Sequence, residues 1–354
     1  MRRINWFPFL RLNKPSQRWI SLGTLLCVAS FTVFSWKLLW WMYIDNLNRL
    51  LTSCSDIQQE PGKLMASVEL SGGLGNLMFQ FAFLYVTAKT HGYQIVLPSS
   101  KELRKLKEAF EIDFSQYEKP HWDHKLTEKC FKVIEDDWDC AYDSKLVENP
   151  MKNIHYKGYF QSWKYFVSFE EELRKMFRFR PQIINEAASI LHKAVSKGLR
   201  DLNNTDERPV LVGVHVRRGD MMDDKTFIDF GYKVADVAYI KTAMAYFRQK
   251  YANIIFIVSS NDLKWVKDNL GTMPNTYIVE GNTAVTDMAL LSLTNHTIMT
   301  VGTFGWWISF LTNGHTVHYK YPFVPGSPLS KQFKGNTDTH LFPQWVGLES
   351  DTNL

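Results

Sequence analysis

Arg208-Pro-Val-Leu-Val-Gly-Val-His-Val-Arg-Arg-Gly-Asp220 is the stretch on which the fold turns. Its apolar run, Val210 to Val216, is short, β-branched and interrupted only by Gly213 and His215, which suits a buried parallel strand better than a helix. Arg217 and Arg218 follow at once, with Asp220 just beyond. In open α/β sheets ligands sit past the carboxyl ends of strands, so His215, Arg217, Arg218 and Asp220 stand where a charged donor would lie. A solvated basic turn is the plain alternative for the arginine pair taken alone. The histidine, glycine and aspartate at fixed spacing after an apolar strand favour a site.

Downstream, strands alternate with helices. The pattern predicts strands at Ile254 to Ser259, Thr276 to Val279, Thr297 to Val301 and Thr316 to Tyr319, with helices at Ala235 to Tyr251, Leu263 to Leu270, Thr286 to Leu293 and Trp306 to Thr312. That spacing argues for a doubly wound, largely parallel α/β sheet. Two more segments, Ser259-Ser260-Asn261-Asp262 and Gly302-Thr303-Phe304-Gly305, each follow a strand and precede a helix, so they should gather with His215 to Asp220 on one sheet edge. Hydroxyls, an amide and helix-start N–H groups suit a phosphate or ribose, with an arginine as clamp. Taken singly, Ser260 and Asn261 read equally as helix caps.

Upstream, Leu64 to Leu70 reads as a strand, Gly72 to Asn76 as a tight turn, Leu77 to Lys89 as a helix and Gln94 to Leu97 as a second strand, a βαβ unit. The turn, with Gly73, Gly75 and Asn76, lacks the Gly-Lys-Ser/Thr of a Walker loop. It also lacks the third glycine and the later acid of a dinucleotide fingerprint. What remains is a close-approach loop at a helix start, able to meet an anion or sugar hydroxyls. Residues 99 to 160 yield only a strand at Phe131 to Ile134. Phe166 to Phe177 and Ile183 to Lys197 look helical, and the polar segment from Lys197 to Arg208 is the expected boundary between domains 64–200 and 201–354.

The N-terminus has another character. Arg2, Arg3, Arg11, Lys14 and Arg18 precede an uncharged run from Trp19 to Ser35-Trp36, and apolar residues resume through Ile44. Such a length spans a bilayer, and cations with no acid before it place the tail in the cytoplasm and the body in the lumen. Residues 1–18 are read as tail, 19–44 as signal anchor and 45–63 as stem. A signal peptide cleaved after Val28-Ala29-Ser30 is the alternative. The five tail cations account for the whole net charge of +5, so the remainder is neutral and lacks the basic bias of a nucleic-acid binder.

Four cysteines occur, Cys27 within the span. In an oxidising space Cys130 and Cys140 could pair within one loop, leaving Cys54 of the stem for an interchain bond, and so a homodimer, or a free thiol. Three reduced cysteines are the alternative. Asn203 and Asn295 begin N-glycosylation sequons. Asp137-Trp138-Asp139 matches the Asp-x-Asp with which some sugar-nucleotide enzymes hold a metal, yet a solvated turn is the better reading. His121 and His124 lack a third ligand nearby.

Three segments, Val68 to Ala82, Val212 to Asp220 and Asn295 to Trp307, resemble, in order, the motifs of the animal α-1,2-fucosyltransferases and of the wider group with a His-x-Arg-Arg motif. The likeness runs from about Val68 to Val346. It implies an inverting transfer of L-fucose from GDP-fucose to a galactose 2-hydroxyl of a β-galactoside-terminated glycan, at a Golgi membrane. The implied fold is two facing Rossmann-like domains, GT-B-like, with the donor held by the C-terminal one and the acceptor by the other. No metal is implied. A departing GDP then needs an arginine fork to stabilise its charge, and Arg217, on the side of His215, is expected to supply it while Arg218 braces the loop through Asp220. Asp220 is a candidate base or a partner that positions an arginine. Transfer to another acceptor, a protein hydroxyl or a core glycan, and glycan binding without chemistry are the rival readings.

Overall fold

A computed structural model of the chain describes residues 34–44, 54–58, 60–119, 122, 124–148, 151–202, 208–350 and 352. The chain divides into two units, residues 1–53 and 54–354. Of the first, residues 34–44 are described; they are helical and expose apolar side chains such as Trp36, Trp40 and Trp41. Among the described residues no helix is long and apolar enough to cross a membrane. Residues 19–33 of the expected anchor lie outside the described residues, as does Asn203.

The second unit holds two parallel sheets. The first has four strands in the order β2-β1-β6-β5, namely Gln94–Ile95, Met65–Val68, Ile154–Lys157 and Lys132–Glu135. Beside it β3 (Leu97–Pro98) pairs with β4 (Glu118–Lys119). The second sheet has six strands: β7 (Val210–Val216), β8 (Ile254–Ser260), β9 (Thr276–Ile278), β10 (His296–Met299), β11 (Thr316–Tyr319) and β12 (Val346–Leu348). Their spatial order is β12-β11-β10-β7-β8-β9, all parallel. This is the doubly wound order in which the winding reverses between β7 and β10, the point where such sheets open a ligand crevice.

Helix α1 (Leu74–His91) is apolar all round because it is buried on several sides. Phe79 reaches Trp306 and Trp307 of the second sheet's layer, Phe81 meets Phe114 and Phe177, and Phe83 stacks on Phe160 and meets Tyr156. One hydrophobic core therefore joins the layers of both sheets. Helix α2 (Pro181–Leu202) runs through the expected domain boundary and packs against α5 (Ala284–Ser292), β8 and β9. Gly198, inside the expected boundary segment, is where α2 meets the sheet: a Cβ there would lie 2.5 Å from Ile255 Cδ1. The remaining helices used below are α3 (Val237–Lys250), α4 (Leu263–Leu270) and α6 (Thr303–Thr312).

Two expectations about cysteines fail. Cys54 bonds Cys130, with Cα atoms 5.5 Å apart, and Cys140 is free and buried. Cys130 precedes β5 and Cys140 follows it, so the strand holds them at opposite sheet edges, roughly 13 Å apart at ~3.3 Å per residue and beyond disulfide reach. Cys54 is thus not available for a dimer through the stem. Nor are residues 54–63 all stem: Cys54–Ile57 is a helical turn whose Ile57 is buried with Met65, Val96, Leu126 and Phe131.

Candidate active site

The register of the second sheet sets the site. Met299 and Ser259 flank His215 on β10 and β8, so the loops after these three strands emerge together at the reversal of winding. His215 is buried, its ring 5.0 Å from that of Phe304, with Gly305 against its Nδ1. Burial, with Arg217 beside it, pushes the imidazolium down to about 3, so the ring stays neutral at physiological pH. Its Nδ1 is buried without a partner among the described residues.

The two arginines have different partners, and these are not the expected ones. Arg217, not Arg218, holds Asp220, Nη2 donating to Oδ2 at 2.5 Å. Asn261 Nδ2 donates to the other Asp220 oxygen at 2.8 Å, and Asn261 Oδ1 accepts from the Arg218 N–H at 2.9 Å. Both carboxylate oxygens are engaged, which makes Asp220 a positioner of Arg217 and a poor base. Arg218 lies over the Trp265 ring at 4.5 Å, with Asp262 at 3.8 Å. The capping role weighed for Ser260 and Asn261 belongs to Asp262, which accepts from Trp265 N–H at the start of α4. Ser260 accepts from Asp262 N–H, closing a tight turn.

Three residues join the site that the strand-end pattern did not single out. Thr300 Oγ1 accepts from the Arg217 N–H at 2.9 Å. Asp287, in the first turn of α5, accepts from Ser259 Oγ at 2.6 Å and from Asn282 Nδ2 at 2.8 Å. Tyr232, its phenol pushed up by burial, is close enough to Arg217, Cys140, Tyr159 and Asp139 for their charges to act on it. An acid in the first turn after a strand was a readable signal for Asp287; Tyr232 arrives through a turn and carried none.

The first sheet contributes from its own carboxyl edge. Helix α1 begins at Leu74, so Gly75 and Asn76 belong to its first turn and Gly73 caps it with extended backbone. Thr303 Oγ1 donates to Asn76 Oδ1 at 2.7 Å, and Gln161 Nε2 reaches the same oxygen at 3.3 Å. A Cβ on Gly75 would lie 2.7 Å from the Thr303 carbonyl carbon and 2.8 Å from the Phe304 nitrogen. Gly75 thus lets the starts of α1 and α6 touch. Replacing Gly75 with alanine should destabilise the fold by roughly 1 to 3 kcal/mol, since the obstacle is backbone and cannot swing away. Urea unfolding measures this; an unchanged midpoint would contradict the contact.

Within the Asp137 to Asp139 segment Asp137 is exposed in a bend, as a solvated turn requires, whereas Asp139 is half-buried, burial raising its acid, and Gln332 Oε1 accepts from its N–H at 2.9 Å. Asp136 accepts from the N–H groups of Trp138 and Phe160, and burial lifts it to about 6. Among the described residues no group of three His, Cys, Asp or Glu could hold a metal. His121 lies outside the described residues, and so does the side chain of His124.

The profile of glycosyl transferase family 11 matches residues 37–349. The chain belongs to that family. This family 11 chain is 31% identical over 291 residues to the galactoside alpha-(1,2)-fucosyltransferase 2 of Rattus norvegicus, covering 81% of this chain and 77% of that one. It is 32% identical over 305 residues to the galactoside alpha-(1,2)-fucosyltransferase 1 of Homo sapiens, covering 84% and 79%. The resemblance read from the three motifs is confirmed. Among solved structures, an Arabidopsis thaliana FUT1 variant in complex with GDP shares 14% identity with this family 11 chain at a TM-score of 0.47, covering 79% and 75%.

Proposed function

We propose that the protein moves L-fucose from GDP-fucose to the 2-hydroxyl of a terminal galactose, with inversion, giving an α-1,2 linkage. GDP-fucose is a substrate and not a cofactor. The observation that carries this reading is the guanidinium of Arg217, oriented by Asp220 and Asn261 beyond β7 in a chain whose relatives bear that activity in their names. The bond between the fucosyl carbon and the diphosphate oxygen breaks, its electron pair going to GDP, and Arg217 meets that charge. The helix starts at Thr303 and Leu74, which touch, and the Ser259–Asp287 pair at the end of β8 suit phosphate, ribose or sugar hydroxyls. The acceptor oxygen attacks an oxocarbenium-like carbon and surrenders its proton late, so a weak base or water suffices.

Incubating the full-length protein with GDP-fucose and a panel of β-galactosides, then weighing the products, tests the reading. Addition of one fucose to terminal galactose is expected; transfer to a protein or core glycan, or binding without a product, would replace it. The same assay in EDTA should keep its rate, because an arginine supplies the charge that a metal would. Loss of activity restored by manganese would overturn that part.

We further read residues 19–44 as a signal anchor that leaves the body in the Golgi lumen, with glycans on Asn203 and Asn295. Five cations before an uncharged run support this orientation. On sealed membranes the body should resist added protease; digestion from the cytoplasmic side would refute it.

A further inference from the structure

A cavity of about 350 Å3 opens at the edge of the six-stranded sheet opposite the donor residues, where the strands begin. Asn313, Gly314 and His315 lead into β11 there, and His296 starts β10. Helix α6 links the two places: Thr303 touches Asn76 at the donor edge, and Phe310 lines the cavity near the helix's other end, with roughly 15 Å of helix in all at ~1.5 Å per residue. The volume falls within the ~300 to 1,000 Å3 usual for ligand pockets.

Charge decides what it could hold. Arg174, the arginine in its wall, is already engaged: Nη2 donates to Glu170 Oε2 at 3.1 Å, Nε donates to the Phe310 carbonyl at 2.9 Å, and the guanidinium lies 4.4 Å from the Phe310 ring centre. The pair cancels, and burial lowers the proton affinity of His296. No guanidinium is left free for a phosphate, in contrast to the donor edge. What remains are the exposed side-chain amides of Asn313 and Gln344 and the indole N–H of Trp345, with no hydrogen-bond partner among the described residues, beside the half-buried ring of Trp345; Phe342 is buried, stacked against Trp163 and Trp306. Planar amides that both donate and accept, set beside the ring of Trp345, match the hydroxyls and C–H face of a sugar.

We propose that this cavity is a second, non-catalytic site for a neutral oligosaccharide. It rests on the fucosyl-transfer reading only for the choice of glycan. A longer acceptor would then gain affinity from a site that a short one never touches.

The test uses the full chain in detergent with two probes, a β-galactoside-terminated tetrasaccharide and phenyl β-galactoside. The double variant Asn313→Gly/Gln344→Ala removes both amides; glycine keeps the left-handed backbone of Asn313, φ 54°. Without GDP-fucose, saturation-transfer NMR should show tetrasaccharide binding to the parent that phenyl β-galactoside does not displace. The double variant should weaken it by about tenfold, the scale of one or two lost hydrogen bonds. KM for the tetrasaccharide should rise by a similar factor, while kcat and KM for phenyl β-galactoside stay at the parent's values. If the double variant melts lower than the parent, Trp345→Phe, which keeps a ring against Trp306 and Phe342 but loses the indole N–H, is read by the same criteria. Equal tetrasaccharide binding by parent and variants overturns the proposal. Donor-free binding that responds to the variants, in a protein that transfers no fucose, would uphold the cavity and refute the transferase reading instead.

Discussion

Arg217→Lys should lower kcat/KM for fucosyl transfer by roughly 2 to 4 kcal/mol, the scale of losing one preorganised donor to a developing anion. Lysine keeps the charge but not the planar fork, and the fork is what the structure prepares. Asp220 takes one arm of the guanidinium, Asn261 holds Asp220, and Thr300 holds the Arg217 backbone. The guanidinium is thereby aimed without being neutralised on every side, and its side chain stays partly exposed at 32%. A flexible ammonium at that position would pair with Asp220 and point elsewhere. Arg218→Lys is the control. Its guanidinium is committed to Trp265, so the change should cost about 1 kcal/mol of stability and leave GDP affinity near the parent's. Calorimetric titration of GDP and initial rates on both variants decide the matter. An Arg217→Lys protein that binds GDP and turns over like the parent would mean the donor site lies elsewhere.

Removing the Cys54–Cys130 bond by Cys54→Ala/Cys130→Ala should destabilise the body by roughly 2 to 4 kcal/mol. The bond closes a segment spanning 76 positions, which includes β1, α1 and β4, so the unfolded chain gains much freedom when it is cut. It also fastens the turn at Cys54–Ile57 over Met65 and Val96, a small cluster with little other support. Thermal unfolding followed by circular dichroism should show the fall. The parent should migrate without a disulfide-linked dimer on non-reducing gels, because Cys54 is already paired. A variant as stable as the parent, or a Cys54-dependent dimer, would contradict the pairing.

The Val210 to Val216 strand and its position were legible because a β-branched run bounded by proline and charge has few other outcomes. The same holds for Thr316 to Tyr319 and for the helix–strand alternation between them. β6 was missed: Ile154, His155, Tyr156 and Lys157 alternate too briefly to stand out, yet β6 sits at the centre of the first sheet, between β1 and β5. α1 is buried on several sides, which the sequence did not show, since local period cannot reveal how many neighbours a helix will have.

By itself the sequence determined the parallel α/β class, the family through three motifs, and the cluster of His215, Arg217, Arg218, Ser259 and Thr303 at strand ends. These follow from local rules: a strand's carboxyl end is known once the strand is known. Only the tertiary structure decided who pairs with whom. Asp220 chose Arg217 because the turn after β7 bends into a short helix that brings positions 217 and 220 together. Cys130 chose Cys54 because β5 carries Cys140 to the far edge of the sheet. Gly75 proved to be a contact with Thr303, more than two hundred residues away, and no local pattern encodes a distance that only the packing of two sheets on one core creates.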